Sequence, residues 1–174
     1  KKNGAYEVKD PAVISQLVEL VTKEGKSPKT EFVGKSAKYI LDKIGITVGD
    51  DVKVILMEAK EDHPFVQVEL MMPILPLVRV PDVDQAIEMA VRVEHGNRHT
   101  AMMHSRNVEK LTKMAKLIQT TIFVKNGPSY AGIGVGGEGY TTFTIAGPTG
   151  EGLTSAKSFA RRRRCVLVGG MDVR

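Results

Sequence analysis

This 174-residue chain predicts an α/β fold, with a parallel-rich sheet and flanking helices. Two patterns predict it. Short apolar runs suited to strands, at Val52–Met57, Ile74–Val80, Thr100–Met103 and Thr121–Val124, alternate with stretches whose apolar residues recur at helical spacing. Between them, proline, glycine and capping residues fall where one element must stop and the next begin.

Asp10 can cap a helix with Pro11 at its first position, and Val13, Ile14, Leu17, Val18 and Val21 form an apolar stripe that ends before Gly25. The polar, lysine-rich Gly25–Thr30 reads as a linker or exposed loop. A second short helix is expected from about Ser36 to Ile44, closed by Gly45. Val52–Met57 is the first strand, His63-Pro64 breaks the pattern, and Ile74–Val80 follows the punctuation at Pro73. Asp82 and Gln85 have capping-box spacing, and Val83, Ala86, Ile87, Ala90 and Val91 then repeat at helical intervals up to His95-Gly96. After Thr100–Met103, Ser105 or Asn107 caps a helix carrying Val108, Leu111, Ala115 and Ile118. The order from Ile74 to Val124 is strand-helix-strand-helix-strand, which predicts right-handed parallel crossovers with functional loops at the carboxyl ends of the strands.

Composition excludes several classes. At 42% hydrophobic and 26% charged the chain reads as one globular domain rather than a disordered segment. No apolar run approaches the roughly 18 residues of a membrane span, and the lysine-rich start is not followed by a signal-peptide core, so an intracellular, cytoplasmic setting without membrane partners is expected. The four histidines and the single Cys165 show no zinc spacing, and no metal site is expected. The net charge of +5 peaks at Arg161–Arg164, but aromatics are only 5% and tryptophan is absent. A nucleic-acid face would add stacking residues, so nucleic acid is not expected; a charge-blunted strand edge, or pairing with carboxylates of another subunit, suits the arginines better.

Nine of the 17 glycines fall within Gly127–Gly152, directly after an expected strand. That density implies close approach to a ligand or another backbone, or several positive-φ positions. Nucleotide templates nevertheless fail: Gly132, Gly134, Gly136, Gly137 and Gly139 precede a β-prone TTFTI run rather than the helix whose amino terminus would hold phosphate, and neither a Walker lysine nor GxSxG is present. Cys165, followed by Val166-Leu167-Val168, reads as a packing residue inside a strand. His99 and His104 flank Thr100–Met103 on opposite faces, which disfavours paired acid-base work. Read alone, the residues contain no complete active site; a stand-alone phosphate- or nucleotide-binding module and a basic interaction protein remain open.

Four long stretches carry a resemblance: HPFVQVELMMPILPLVRV (His63–Val80), HGNRHTAMMHSRN (His95–Asn107), FVKNGPSYAGIGVGGEGY (Phe123–Tyr140) and AGPTGEGLTSAKSFARRRRCVLV (Ala146–Val168). Together they resemble CoA-acylating aldehyde dehydrogenases, in particular the propionaldehyde and acetaldehyde enzymes of propanediol and ethanolamine utilisation. The resemblance implies an NAD-dependent conversion of a short-chain aldehyde and CoA to acyl-CoA through a cysteine nucleophile. It also implies a C-terminal fragment, since residue 1 is Lys and the family's NAD-binding domain and nucleophile precede the matched region. Residues 1–152 would be part of the catalytic domain and 153–174 an oligomerisation segment ending in a strand. A homo-oligomer is expected, with microcompartment association through the absent N-terminal region. Glu69, four residues before Pro73, matches the superfamily's E-x-x-G-P segment, whose glutamate binds the nicotinamide-side ribose; Met71 and Met72 replace the usual phenylalanine and glycine. By position, Asn126, Gly127, Pro128, Ser129 and Tyr130, with Pro148 and Thr149, would line the substrate or CoA entrance.

Overall fold

The computed structural model describes residues 3–137, 145–146, 152–166 and 168. The chain divides into two compact units, Lys1–Val93 and Glu94–Arg174.

The first unit is built on a three-stranded parallel sheet in the order β1 (Ala5–Val8), β4 (Val54–Glu58), β5 (Ile74–Leu77). The crossover from β1 to β4 begins with α1 (Pro11–Val21). The Asp10 carboxylate accepts the Ala12 N–H at 2.9 Å, satisfying one of the orphan donors of the first turn, and Pro11 supplies a fixed φ where no N–H is needed. Leu17 and Val21, one turn apart, are fully buried. The helix ends at Thr22, whose hydroxyl donates to the Val18 carbonyl at 2.7 Å and accepts the Gly25 N–H at 3.0 Å. Thr22 thereby starts a small antiparallel hairpin, β2 (Thr22–Lys23) with β3 (Ser27–Pro28), where the sequence predicted only a loop.

Phe32, on a single 3₁₀ turn, is buried, and Ser36 then caps α2 (Ala37–Asp42) by accepting the Tyr39 N–H. Ile40 and Leu41 of α2 join Leu17, Val21, Ile55, Met57 and Phe65 in one core cluster. Each such side chain, fully removed from water, contributes about 1.5–3 kcal/mol. Strand β5 ends at Leu77 rather than Val80. Its last partner, Glu58, is the last residue of β4, and beyond it Arg79 turns to bind the Glu58 carboxylate. The unit closes with α4 (Val83–Val93), where Asp82 accepts the Gln85 N–H and also the Gln85 carboxamide, both at 2.9 Å, and Ile87 is buried.

The second unit opens with a βαβ element in which β6 (Thr100–Met103) and β7 (Ile122–Lys125) pair in parallel around α5 (Val108–Ile118). Asn107 rather than Ser105 is the cap: its side chain accepts the Lys110 N–H, while the Ser105 hydroxyl accepts the Asn107 N–H. Leu111, Met114 and Ile118 form the buried stripe of α5, and Ile122 and Val124 are the buried residues of β7. A 3₁₀ turn follows at Ser129–Ile133, and β8 (Ile145–Ala146) pairs antiparallel with β9 (Gly152–Leu153).

Two expectations are corrected. The five-element alternation does not form one sheet, because β5 hydrogen-bonds to β4 and β6 to β7, in separate sheets. Alternation reports element type, whereas pairing depends on which edges meet in space. Cys165, expected to pack inside a strand, is instead exposed, and Arg161–Val166 carries no strand, while Leu167 of the expected strand lies outside the described residues. No neighbouring strand among the described residues supplies the ladder a lone strand needs.

Candidate functional site

Glu69 lies in the first unit on the short connection between α3 (Pro64–Gln67) and β5. The sequence forces a compact bend here. His63-Pro64 starts a one-turn helix that the Val68 N–H closes on the Pro64 carbonyl at 2.9 Å, and Leu70, one residue past the glutamate, is buried. Met71 follows in the left-handed region at φ 53°, and its carbonyl accepts the Gly34 N–H at 3.0 Å. Glu69 is therefore held between two fixed points, exposed, with no hydrogen-bond or ion-pair partner for its carboxylate among the described residues. An exposed, uncommitted carboxylate on an anchored loop can accept hydrogen bonds from a pair of vicinal hydroxyls. Of the methionines beside it, Met71 is exposed and Met72 packs against the core.

Asn126, Gly127, Pro128, Ser129 and Tyr130 lie in the second unit, where the chain leaves the carboxyl end of β7. The glycine-rich stretch folds back on its own strand: a Cβ at Gly132 would overlap Cγ2 of Ile122 and stand 3.3 Å from Cγ2 of Val124. Close approach is what glycine provides here, and the partner is β7 rather than a ligand. Gly134 adopts φ 90° at the end of the turn. Tyr130 is exposed, its ring free to meet another molecule. Asn126, by contrast, commits its side chain internally: Oδ1 accepts the Ser105 N–H at 2.8 Å and Nδ2 donates to the Ser105 carbonyl at 3.0 Å. Pro148 and Thr149 lie outside the described residues.

The sequence reading missed a cleft of about 610 Å³ in the first unit, at the carboxyl end of β4. Pro11 and Ser15 of α1 line it together with Glu58, Lys60, Asp62 and His63. His63 is half-buried there and serves as the cap of α3, its Nδ1 accepting the Phe65 N–H at 3.1 Å. Burial pushes its pKa below the ordinary value near 6.5, against the opposing pull of Asp62. Two arginine forks frame the region: Arg79 on Glu58 and Arg92 on Glu61, each holding its carboxyl below the usual range through hydrogen bonding. The signal that could have found the cap is a hydrogen-bond acceptor directly before a helix-starting proline, the same arrangement as Asp10-Pro11.

His99 and His104 stand before and after β6, both exposed, and His99 shares a 2.8 Å hydrogen bond with the neighbouring Thr100 hydroxyl. Among the described residues no three His, Cys, Asp or Glu side chains gather as a metal site. No described helix is long and apolar enough to cross a membrane.

Known proteins match this architecture. The aldehyde dehydrogenase family model matches residues 52–150. Propanal dehydrogenase (CoA-propanoylating) of Salmonella typhimurium is 52% identical over 165 residues, covering 94% of this chain and 35% of that protein. A crystal structure of Rhodopseudomonas palustris propionaldehyde dehydrogenase, with bound CoA and an acylated cysteine, superposes with a TM-score of 0.89 at 71% identity over 99% of this chain and 39% of that one. A propionaldehyde dehydrogenase from the Clostridium phytofermentans fucose utilisation bacterial microcompartment gives a TM-score of 0.86 at 47% identity, covering all of this chain and 40% of the other. The chain thus spans about 35% of the length of the curated relatives it matches. The matched residues include β4, Glu69, the βαβ element and the glycine-rich segment, and on that ground the chain belongs to the aldehyde dehydrogenase family.

Proposed function

We propose that these residues form the C-terminal part of an NAD-dependent, CoA-acylating aldehyde dehydrogenase that converts acetaldehyde or propionaldehyde, with CoA, to the acyl-CoA. The observation that carries this reading is the 71% identity, across nearly the whole chain, to a propionaldehyde dehydrogenase holding CoA and an acylated cysteine. Residues 1–152 would supply part of the catalytic domain and 153–174 a segment for association with further copies. The setting would be cytoplasmic, within a bacterial microcompartment like that of the Clostridium relative.

Glu69 fits the cofactor side of this reading. Its anchored, unpaired carboxylate is suited to accept both hydroxyls of a ribose, which would fix the sugar's orientation without covalent chemistry. When bound, NAD supplies the hydride acceptor and CoA the thiol that carries the acyl group away. The reactive cysteine would come from the portion of such an enzyme that these residues do not contain. Tyr130 and the turn around it would border the entrance for aldehyde or CoA, as exposed loops at strand ends commonly do.

Turnover is the test. The isolated chain should oxidise no aldehyde with NAD and CoA, whereas a full-length enzyme carrying these residues should. In that enzyme Glu69→Gln, which loses the charge but keeps the shape, should lower kcat/KM for NAD about 10-fold, the loss of roughly 1.4 kcal/mol of charge-assisted hydrogen bonding. Turnover by the isolated chain, or an unchanged kcat/KM in the variant, would overturn the corresponding part of the proposal. Calorimetric binding of NAD or CoA by the 174 residues alone would instead favour a self-sufficient nucleotide module.

A further inference from the structure

We infer that Asn126 is a positioning residue, whose carboxamide fastens the carboxyl ends of β6 and β7 together rather than contacting a ligand. Three hydrogen bonds support this. The Asn126 N–H donates to the Met103 carbonyl at 2.9 Å, one step beyond the Met103–Lys125 pair that ends the ladder. Its side chain then accepts from the Ser105 N–H at 2.8 Å and donates to the Ser105 carbonyl at 3.0 Å. The carboxamide orientation follows from chemistry, since the backbone N–H can only donate and must meet the oxygen.

The three bonds bracket His104: both of its neighbours, Met103 and Ser105, are tied to the one residue that follows the other strand. The exposed imidazole therefore rides on backbone fixed at the mouth of the parallel pair. Ser105 passes the constraint on, its hydroxyl accepting the Asn107 N–H just where Asn107 caps α5. On the other side, Asn126 adopts φ 57°, which ends β7 and turns the chain into Gly127-Pro128 and the Ser129–Ile133 turn. Asparagine suits the place twice over: it tolerates the left-handed backbone better than most side chains, and it carries a donor and an acceptor at the reach a peptide group would have. The two bonds to Ser105 occupy one acceptor site and one donor of the carboxamide, so a ligand could reach only the second Nδ2–H or the second Oδ1 lone pair while the clamp holds.

Two substitutions separate the backbone contribution from the side chain. Asn126→Gly keeps the left-handed conformation and removes the clamp; Asn126→Asp keeps the acceptor for the Ser105 N–H and loses the donor. On the 174-residue chain, amide exchange at Ser105 should be slow in the parent and in Asn126→Asp, and roughly 5- to 10-fold faster in Asn126→Gly, as loss of one hydrogen bond implies. Equal exchange in all three would overturn the clamp. In a full-length enzyme carrying these residues the Asn126 carboxamide resonances should stay in place when CoA or NAD binds, and a ligand-induced shift would likewise overturn it; this measurement needs no variant to fold.

The activity arm rests on the function proposed above. In the full-length enzyme the clamp predicts turnover in the order parent, Asn126→Asp, Asn126→Gly, because the aspartate retains one bond. Contact with a phosphate-bearing ligand reverses the last two, since a carboxylate would repel it. The reversed order overturns the inference, while a parent enzyme without NAD- and CoA-dependent turnover overturns the function and leaves the exchange measurement to decide the clamp.

Discussion

Gly132→Ala tests how the glycine-rich turn is held. The new methyl would overlap Cγ2 of Ile122 and press on Cγ2 of Val124 at 3.3 Å. Both targets are stiff, since the methyl groups branch at Cβ and both residues lie buried on β7. Overpacking of this kind costs about 1–3 kcal/mol. Gly132 is not in the positive-φ region, so alanine also gains about 0.4–1 kcal/mol by restricting the unfolded chain. The net expectation is a loss of about 1–2 kcal/mol. Urea denaturation followed by circular dichroism would measure it, with amide exchange at Ile122 and Val124 reporting whether the loss is local to the second unit. Ile122→Ala removes the obstructing methyl, so in that background Gly132→Ala should cost almost nothing, a coupling of about 1–2 kcal/mol. If Gly132→Ala is as stable as the parent, the turn does not lie on β7 and the account of this glycine fails.

His63 makes the first unit sensitive to acid. Its pKa is below 6.5 in the fold, so the fold favours the neutral ring; the resulting stability is complete above pH 6.5 and disappears as pH falls through the lowered folded value. Protonation also converts Nδ1 from acceptor to donor and breaks the cap on Phe65, with Glu58, Lys60 and Asp62 lining the same cleft. Urea midpoints at pH 7.5 and 5 should separate for the parent and nearly coincide for Asn in place of His63 (His63→Asn), which caps without titrating; parallel behaviour of the two proteins would refute the cap. For the proposed association segment, deletion of Arg161–Arg174 should give monomers by light scattering, and an unchanged particle size would remove that role.

Much of the fold was legible because its signals are local. Asp10-Pro11, Ser36, Asp82 with Gln85, and Asn107 each satisfy backbone donors two or three residues away, so the helix starts are written beside the helices they open. What escaped depends on partners distant in sequence. The early end of β5 is set by Glu58, 19 residues before Leu77 and paired with it, and the division into two sheets by which edges meet. The use of the Asn126 side chain is set by Ser105, 21 residues earlier. Glu69 is singled out by the resemblance's E-x-x-G-P motif rather than by periodicity. Its uncommitted state could not be read from the motif, because it depends on which cations stand near it in three dimensions, and none among the described residues pairs with it.

Met71 carries a cost that concerns evolvability. Methionine in the left-handed region costs about 1–2 kcal/mol relative to its preferred backbone, and glycine would avoid that strain at a cost of about 0.4–1 kcal/mol in unfolded-chain entropy. Methionine has a narrower backbone range than glycine, so the bend two residues after Glu69 is more restricted than a glycine bend would be. Replacing Met71 with glycine would relax the bend and also widen the range of directions open to Glu69. Thermal robustness and aim therefore pull this position in opposite directions, and selection for one alone would erode the other.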